Sequence, residues 1–400
     1  MNQRPQSGGS ALRHIAFALS LVAGLLAASG AVALSAEPGA GHTGAEAARE
    51  AKALPAARLR ERASLLAAGE AALARLDAAA ALNAFERAAL ILHAADTEIA
   101  LVRTHMQAGD YRRALAFGAH TAGAHLDVAG GSLLYAWLLH VGGQPAIAQR
   151  VLADTEAHGP DSALAQAVRR QLRSGAPQAT GELLAPPVRL APYGQTQGLP
   201  ASARVVGSAV LLPGGRAALM PLRLLPQPGK LWLRNGLGQL TAASVEKRLA
   251  GVDVTLVRLE RPLPAAKEFR VAARDAFPGS AGFAVEYVSA PKASPAWPVL
   301  RAGFLGSAGH DSGARLLGID MPAGARGGPV FNGAGQFIGL ALPGASGKGG
   351  DRLVAASQLN KALGSALLFA QATAGPTPRE AVDKIYEASL RSALQVITAP

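Results

Sequence analysis

The stretch GARGGPVFNGAGQFIGLAL, from Gly324 to Leu342, decides how the second half of this chain folds. Two glycines and a proline follow Arg326, and Asn332 and Gly335 then separate two short apolar runs. Apolar runs joined by turn-forming residues are typical of paired β-strands, and a glycine inside such a run marks a close approach of two backbones. The stretch therefore predicts a β-hairpin that begins at a tight glycine turn.

Short apolar runs bounded by turn residues continue on both sides of this stretch. Because no helical pattern separates them, they predict an all-β barrel or sandwich. The helical period returns near the chain end, where Leu359 to Ala372 predicts one helix and the segment from Pro378 a second, amphipathic helix. The candidate strands are Arg204–Leu212, Lys230–Arg234, Leu240–Arg248, Val252–Leu259, Gly282–Ser289, Arg315–Asp320, Gln336–Leu342 and Arg352–Ala355.

The first half of the chain, Ala45 to Ser174, is rich in alanine and is predicted to be helical. Gly109 and Gly143 are 34 residues apart, and each stands in a turn before a new helix that carries an alanine, Ala114 or Ala148. This pattern resembles the tetratricopeptide repeat, which implies stacked helix pairs that bind a protein or peptide partner. An ordinary alanine-rich helical bundle is the alternative.

Four segments of the second half resemble trypsin-like serine proteases, a family that includes the high-temperature-requirement group. The stretch quoted above matches the family's nucleophile pattern G-x-S-G-G-P except at the serine. Val252–Glu260 is similar to the strand of the catalytic aspartate, which places Asp253 at that position. Gly207–Leu225 resembles the hairpin that leads to the catalytic histidine, and Arg352–Leu363 resembles the last strand and helix. The resemblance implies a chymotrypsin-like double barrel.

The catalytic positions depart from the family's pattern. Arg326 stands at the position of the serine, Leu222 stands at or near that of the histidine, and only Asp253 is retained. A serine nucleophile needs a neighbouring base, and a guanidinium cannot attack a carbonyl. We therefore expect a catalytically inactive binding or scaffold protein rather than an enzyme. The alternatives are an active endopeptidase with a non-standard catalytic set and a basic adaptor on anionic surfaces.

Two further expectations concern charged and metal-binding side chains. Arg326 is long enough to reach Asp253, and we expect the two to form an ion pair that fills the vestigial site; the alternative is that Arg326 faces solvent. His120 and His125 are five residues apart, which would place them on different sides of one helix. Since we identify no acidic or cysteine partner for them, we expect neither a metal site nor a cofactor.

The N-terminus has the layout of a secretory signal peptide. Arg4 and Arg13 precede an uncharged run from Ile15 to Ala33, whose last three residues offer an A-x-A cleavage site. We therefore expect a periplasmic or secreted protein without a stable membrane span after cleavage. An uncleaved anchor is the alternative.

Charge and cysteine content exclude further classes of protein. The formal net charge is +12, but the basic residues are scattered and not interleaved with aromatic ones, so no nucleic-acid partner is expected. The chain has no cysteine, which excludes a disulfide scaffold and thiolate metal ligands.

The expected organisation is a multi-domain α + β protein with an all-α first part and an all-β second part. Its segments are a signal peptide (1–36), a tetratricopeptide-like helical domain (45–174), a linker rich in proline and glycine (175–203), a degenerate trypsin-like β domain (204–364) and a helical tail (365–400).

Overall fold

The structure, a computed structural model, describes nine segments of the chain. The predicted signal peptide, most of the predicted linker and Arg326 lie outside them. The described residues are 44–158, 163–174, 192–226, 229–307, 315–321, 327–344, 350–364, 372–373 and 377–400.

The first part of the chain is helical, as its composition predicts. From the second helix onward, each helix packs against the next one along the chain. None of the helices in the described segments is long and apolar enough to cross a membrane. The helices are α1 (Gly44–Ala53), α2 (Ala56–Ala74), α3 (Ala78–Ala89), α4 (Ala95–Ala108), α5 (Tyr111–Ala124), α6 (Ala129–Val141), α7 (Pro145–His158) and α8 (Ala163–Ser174).

The same turn joins the helices of three successive pairs. Leu76, Gly109 and Gly143 each have a left-handed backbone, with φ of 63°, 81° and 80°. In each turn the following residue donates its N–H to the carbonyl of the residue five positions earlier. These bonds satisfy carbonyls that the end of the helix leaves free. Four residues after each of these N–H donors stands a fully buried alanine: Ala81, Ala114 and Ala148. The turn geometry therefore recurs at 33- and 34-residue intervals.

The second part contains fourteen short strands in its described segments. Two turns of 3-10 helix, Leu222–Leu224 and Ala250–Val252, lie between them. The strands are β1 (Arg204–Leu211), β2 (Ala217–Pro221), β3 (Lys230–Asn235), β4 (Leu240–Leu249), β5 (Val254–Leu259), β6 (Val271–Ala272), β7 (Ala281–Glu286), β8 (Val299–Phe304), β9 (Arg315–Leu316), β10 (Pro329–Asn332), β11 (Phe337–Leu342), β12 (Arg352–Ala355), β13 (Ala372–Thr373) and β14 (Ala393–Ala399).

The first barrel is a closed ring in the order β1-β14-β3-β4-β5-β2. Each strand of this ring pairs antiparallel with its two neighbours, and the interior is filled by alternate apolar residues such as Leu211, Leu233 and Val257. Strand β14 comes from the end of the chain and lies between β1 and β3, with Val210 opposite Ala393 and Lys230 opposite Ala399. The first barrel is therefore complete only with the C-terminal residues.

The second group of strands also forms a ring. Strands β11, β10, β7 and β8 pair in that order, and β12 pairs with both β11 and β9. Backbone hydrogen bonds join the end of β8 to β9: Phe304 N–H donates to the Gly318 carbonyl (3.2 Å), and Gly306 N–H donates to the Leu316 carbonyl (2.9 Å). The β part thus consists of a closed six-stranded barrel and an eight-stranded sheet that these bonds curl into a second barrel, in agreement with the predicted β class.

Two predictions for the chain end need correction. The predicted helix Leu359–Ala372 is shorter and begins earlier, as α9 (Ala356–Leu363), because Gly364 takes a left-handed backbone and ends it. Among the described residues of the predicted helical tail, α10 (Val382–Ser392) is helical. The residues after it, ALQVITA, form β14, because the β-branched run Val396–Thr398 favours a strand, and the segment pairs with two strands and becomes buried.

The helical part and the barrels share one apolar core. A single cluster of buried residues includes side chains of α4 to α8, of both groups of strands and of α10. Two aromatic pairs cross the boundary: Tyr111 meets Tyr386 with ring centres 4.8 Å apart, and Trp137 meets Trp297 at 5.0 Å. Helix α10 lies between α5 and the first barrel, so the C-terminal segment contacts both parts of the molecule.

Candidate functional site

Two of the three predicted catalytic positions meet at one end of the first barrel. Strand β2 ends opposite the start of β5, with Pro221 paired to Val254. Leu222 follows β2 and donates its backbone N–H to the carbonyl of Asp253, at 2.9 Å. Asp253 itself has a left-handed backbone with φ of 54°, which turns the chain into β5. The structure therefore brings Leu222 and Asp253 together.

The third position, Arg326, lies outside the described residues, but the glycines that follow it are described. Gly327 has φ of 140°, and a Cβ there would overlap the carbonyl of Ser208 in β1 and the ring of Pro221. A Cβ at Gly328 would overlap the carbonyl of Val285 in β7. Only glycine fits at both positions. The chain just after Arg326 thus lies between the two barrels, next to the residue that precedes Leu222.

A buried carboxylate holds this glycine pair in place. Glu286, at the end of β7, is 1% exposed, and its Oε1 accepts hydrogen bonds from the N–H groups of Gly327 (3.2 Å) and Gly328 (3.0 Å). Two backbone donors aimed at one charged oxygen form a strong, directional contact. Glu286 was not among the predicted site residues, although a single acidic residue in the apolar run GFAVEYV signals a buried polar contact.

Asp253 is not the buried, unpaired carboxylate that the plug hypothesis requires. Its side chain is 60% exposed, and it forms an ion pair with Arg352, the first residue of β12. That pair joins the first barrel to the second. Leu222 offers no proton acceptor, so this arrangement does not hold an imidazole against the aspartate. What the junction presents is a half-buried apolar side chain beside an exposed ion pair.

A second group of chemistry-bearing residues lies in the helical part. Glu98, in the first turn of α4, is surrounded by His93, His120 and His125. The sequence analysis named two of these histidines but separated them, because it placed both on one helix. Helix α5 ends at Ala124, and His125 has a non-helical backbone with φ of −124°, so the helical angle between them does not apply.

Comparison with known proteins gives structural matches only. No protein-family model matches the chain, and no curated protein matches it. One matching solved structure is the active form of the Rv3671c protease from M. tuberculosis. It has 16% identity and a TM-score of 0.31 over 44% of this chain and 83% of that chain. The inactive form of the same protease has 15% identity and a TM-score of 0.31 over 40% and 87%.

A third matching structure is the MamO protease domain from Magnetospirillum magneticum. It has 19% identity and a TM-score of 0.28 over 42% of this chain and 98% of that chain. The similar structures are thus described as proteases, one of them as an active form, and the expectation that this chain is not an enzyme is corrected accordingly. At these identities the likeness concerns the fold of a protease domain.

Proposed function

We propose that this protein is an exported protease-like protein that binds an extended, unfolded polypeptide at the junction of its two barrels. One observation carries the proposal: Leu222, Asp253 and the Gly327–Gly328 pair converge at that junction. They come from three separate segments of the chain. Their convergence supports the alignment of the junction with the substrate site of trypsin-like proteases.

The surface at the junction suits a polypeptide ligand. Leu222, Leu224 and Leu225 are half-buried and offer apolar surface, while Arg223 beside them is exposed. The ion pair of Asp253 with Arg352 adds a polar rim. Binding sites for peptides combine an apolar centre with polar groups around it. With a net charge of +12, the protein favours an acidic polypeptide.

A binding measurement with a matched control tests this proposal. Fluorescein-labelled β-casein, an unfolded acidic protein, should bind the full chain saturably in an anisotropy titration. Leu222→Glu puts a charge in the apolar centre and should weaken binding about tenfold or more. Arg258→Gln, an exposed position at the far end of β5, should leave binding unchanged. Absence of saturable binding, or equal binding by both variants, contradicts the proposal.

A serine endopeptidase with a non-standard catalytic set is the second candidate. The observation that favours it is the placement of the Gly327–Gly328 pair between the barrels, next to Pro221. This candidate predicts that casein incubated with the full chain is cut into discrete fragments. It also predicts that a fluorophosphonate probe labels a serine stoichiometrically. Intact casein and an unlabelled chain would eliminate it without affecting the binding proposal.

For the helical part we propose a tetratricopeptide-like stack that contacts a protein partner on the side away from the barrels. The recurring turns at Leu76, Gly109 and Gly143 support the repeat. The side towards the barrels is occupied by α10, where Arg112 Nε donates to Glu387 Oε2 at 2.6 Å. We also propose a periplasmic or secreted location, which N-terminal sequencing of the mature protein tests, because cleavage after Ala33 would remove the first segment.

A further inference from the structure

Three histidines surround a buried glutamate where the helical part turns from α3 through α4 into α5. His93 lies in the turn before α4, Glu98 in the first turn of α4, His120 in α5 and His125 at the residue that ends α5. Side-chain exposure is 5% for Glu98 and 1% for His125. It is 28% for His93 and 44% for His120. The group is therefore closed on its inner side and open to solvent at His120.

The potential ligand atoms of this group lie close to one another, and a bound ion would replace the hydrogen bond that now joins His93 to Glu98. His93 Nε2 lies 2.6 Å from Glu98 Oε1, and His120 Nε2 lies 3.4 Å from the same oxygen. His125 Nε2 lies 3.4 Å from Glu98 Oε2. The potential ligand atoms of His93, Glu98 and His125 all lie within 4.8 Å of one another. In tetrahedral zinc sites with bonds of about 2.0–2.1 Å, neighbouring ligand atoms are about 3.3 Å apart.

His125 gives an independent indication that a ligand belongs here. Among the described residues neither of its ring nitrogens has a hydrogen-bond partner, and Glu98 Oε2 has none either. A buried polar atom without a hydrogen-bond partner is destabilising, and such groups need an explanation. A cation placed between the His125 ring and Glu98 would satisfy both.

We propose that His93, Glu98 and His125 bind one zinc-like divalent metal ion, with the fourth position on the solvent side next to His120. Imidazole and carboxylate ligands suit zinc, whereas calcium and magnesium prefer oxygen ligands alone. The ion would tie the turn before α4 to both α4 and the end of α5. Its role in this position is to stabilise the helical part.

The electrostatics of the group agree with this assignment. Burial by itself would raise the pKa of Glu98, but the three histidines hold that pKa well below its ordinary value. The carboxylate is therefore charged at neutral pH, and a metal ion that binds here would displace the protons that the histidines share with it. Two further carboxylates, Glu70 and Asp96, are engaged elsewhere by Arg103 and Arg62, so they do not compete for the ion.

The test uses the full chain, purified without a histidine tag, treated with EDTA and dialysed. Titration with zinc chloride in a calorimeter should show one ion bound per chain with a Kd below about 1 μM. His125→Ala should weaken binding about 100-fold or more, and His120→Ala about tenfold, because His120 stands beside the site. His105→Ala, on the same helix as Glu98 but outside the group, is the matched control and should bind as the unaltered chain does. Magnesium chloride should give no binding.

A second measurement does not depend on the folding of a variant. Cobalt chloride added to the unaltered, metal-free chain should produce the intense visible absorption of a four-coordinate site, and equimolar zinc should abolish it. The proposal is wrong if zinc does not bind at one ion per chain, if His125→Ala binds zinc undiminished, or if cobalt gives only the weak spectrum of the aqueous ion. In those cases the group is a network of hydrogen bonds and charges alone.

Discussion

The junction of the barrels and the histidine group differ in the way that sequence and structure encode them. At the junction the glycines of a known motif are present, but the aspartate at the predicted catalytic position, Asp253, is 60% exposed. In the histidine group no motif is visible, yet Glu98 is 5% exposed and three imidazoles converge on it. In this molecule the glycines of a known motif and the side chains able to bind a metal therefore lie in different parts.

The two regions also differ in how far along the chain their parts are separated. The histidine group comes from one segment, 93–125, whereas the first barrel at the junction needs β14 from the far end of the chain. Ending the chain after Ser392 removes Leu394, Val396 and Ile397, all fully buried. Each such loss costs about 2–5 kcal/mol, and the sum approaches the whole stability of a domain.

We therefore expect the chain that ends at Ser392 to lose the cooperative unfolding of its β part, the largest effect predicted here. Circular dichroism and urea unfolding measure it. Removal of Pro400 alone, which is exposed and lies beyond β14, should change nothing. A truncated chain with unaltered unfolding would mean that β14 does not close the barrel.

The next largest effect distinguishes the two acidic residues directly. Glu98→Gln removes the charge that three histidines face in a buried place. In the presence of EDTA it should lower the free energy of unfolding by about 3–5 kcal/mol, the usual cost of breaking a buried ion pair. Urea unfolding at pH 7 measures this. A loss below about 1 kcal/mol would show that the group is solvated rather than buried.

His140 is a buried histidine whose ring nitrogens have no hydrogen-bond partner among the described residues, unlike His93, which bonds to Glu98. His140, in α6, is 3% exposed. Burial, together with the charge of Arg301 on β8, lowers its pKa to about 4. In the unfolded chain the pKa is about 6.5, so below that pH the unfolded chain takes up a proton that the folded chain does not.

The buried His140 should therefore leave the free energy of unfolding unaffected by pH above about 6.5. It should lower that free energy by up to about 3 kcal/mol as the pH falls towards 4. Replacing it with leucine should make the free energy of unfolding less dependent on pH over this range. The difference between the two chains should be constant above pH 7. The same pH dependence in both chains would contradict this account.

The smallest effect belongs to the ion pair at the junction. Asp253→Asn should lower the free energy of unfolding by less than about 1 kcal/mol, because water screens exposed pairs. Arg352→Gln should do the same, and the double variant should differ little from either. If Asp253→Asn lowered the free energy of unfolding by several kcal/mol, Asp253 would have to be part of a buried ion pair, in contradiction to this account.

The β class and the first-half helices could be predicted, because turn residues and apolar periods are local signals. The Gly327–Gly328 pair is such a signal, and the structure explains it by close approaches to Ser208 and Val285. Strand β14 was missed because it follows α10 without a turn residue. Its partners, β1 and β3, lie more than 150 residues earlier in the chain.

The histidine group could not be predicted for a similar reason. Glu98 and His125 are brought together by the packing of two helices, which no spacing along one helix reveals. The sequence does not show that α5 ends at Ala124. Because it does, His125 is not helical, and the angle expected between His120 and His125 on one helix does not apply. A single glycine in the sequence can mark the place where two backbones come close. The ligand atoms of a metal site, in contrast, are brought together by tertiary contacts that the sequence does not show.

The most direct test of the central claim, that the metal-binding site of this protein lies in the helical part, is a diffraction measurement. Crystals of the full chain grown with equimolar zinc should be measured on both sides of the zinc absorption edge. The account predicts one anomalous peak, about 2.0–2.2 Å from His93 Nε2, a Glu98 oxygen and His125 Nε2. A map without a peak there, or with its peak at the junction beside Asp253, would contradict it.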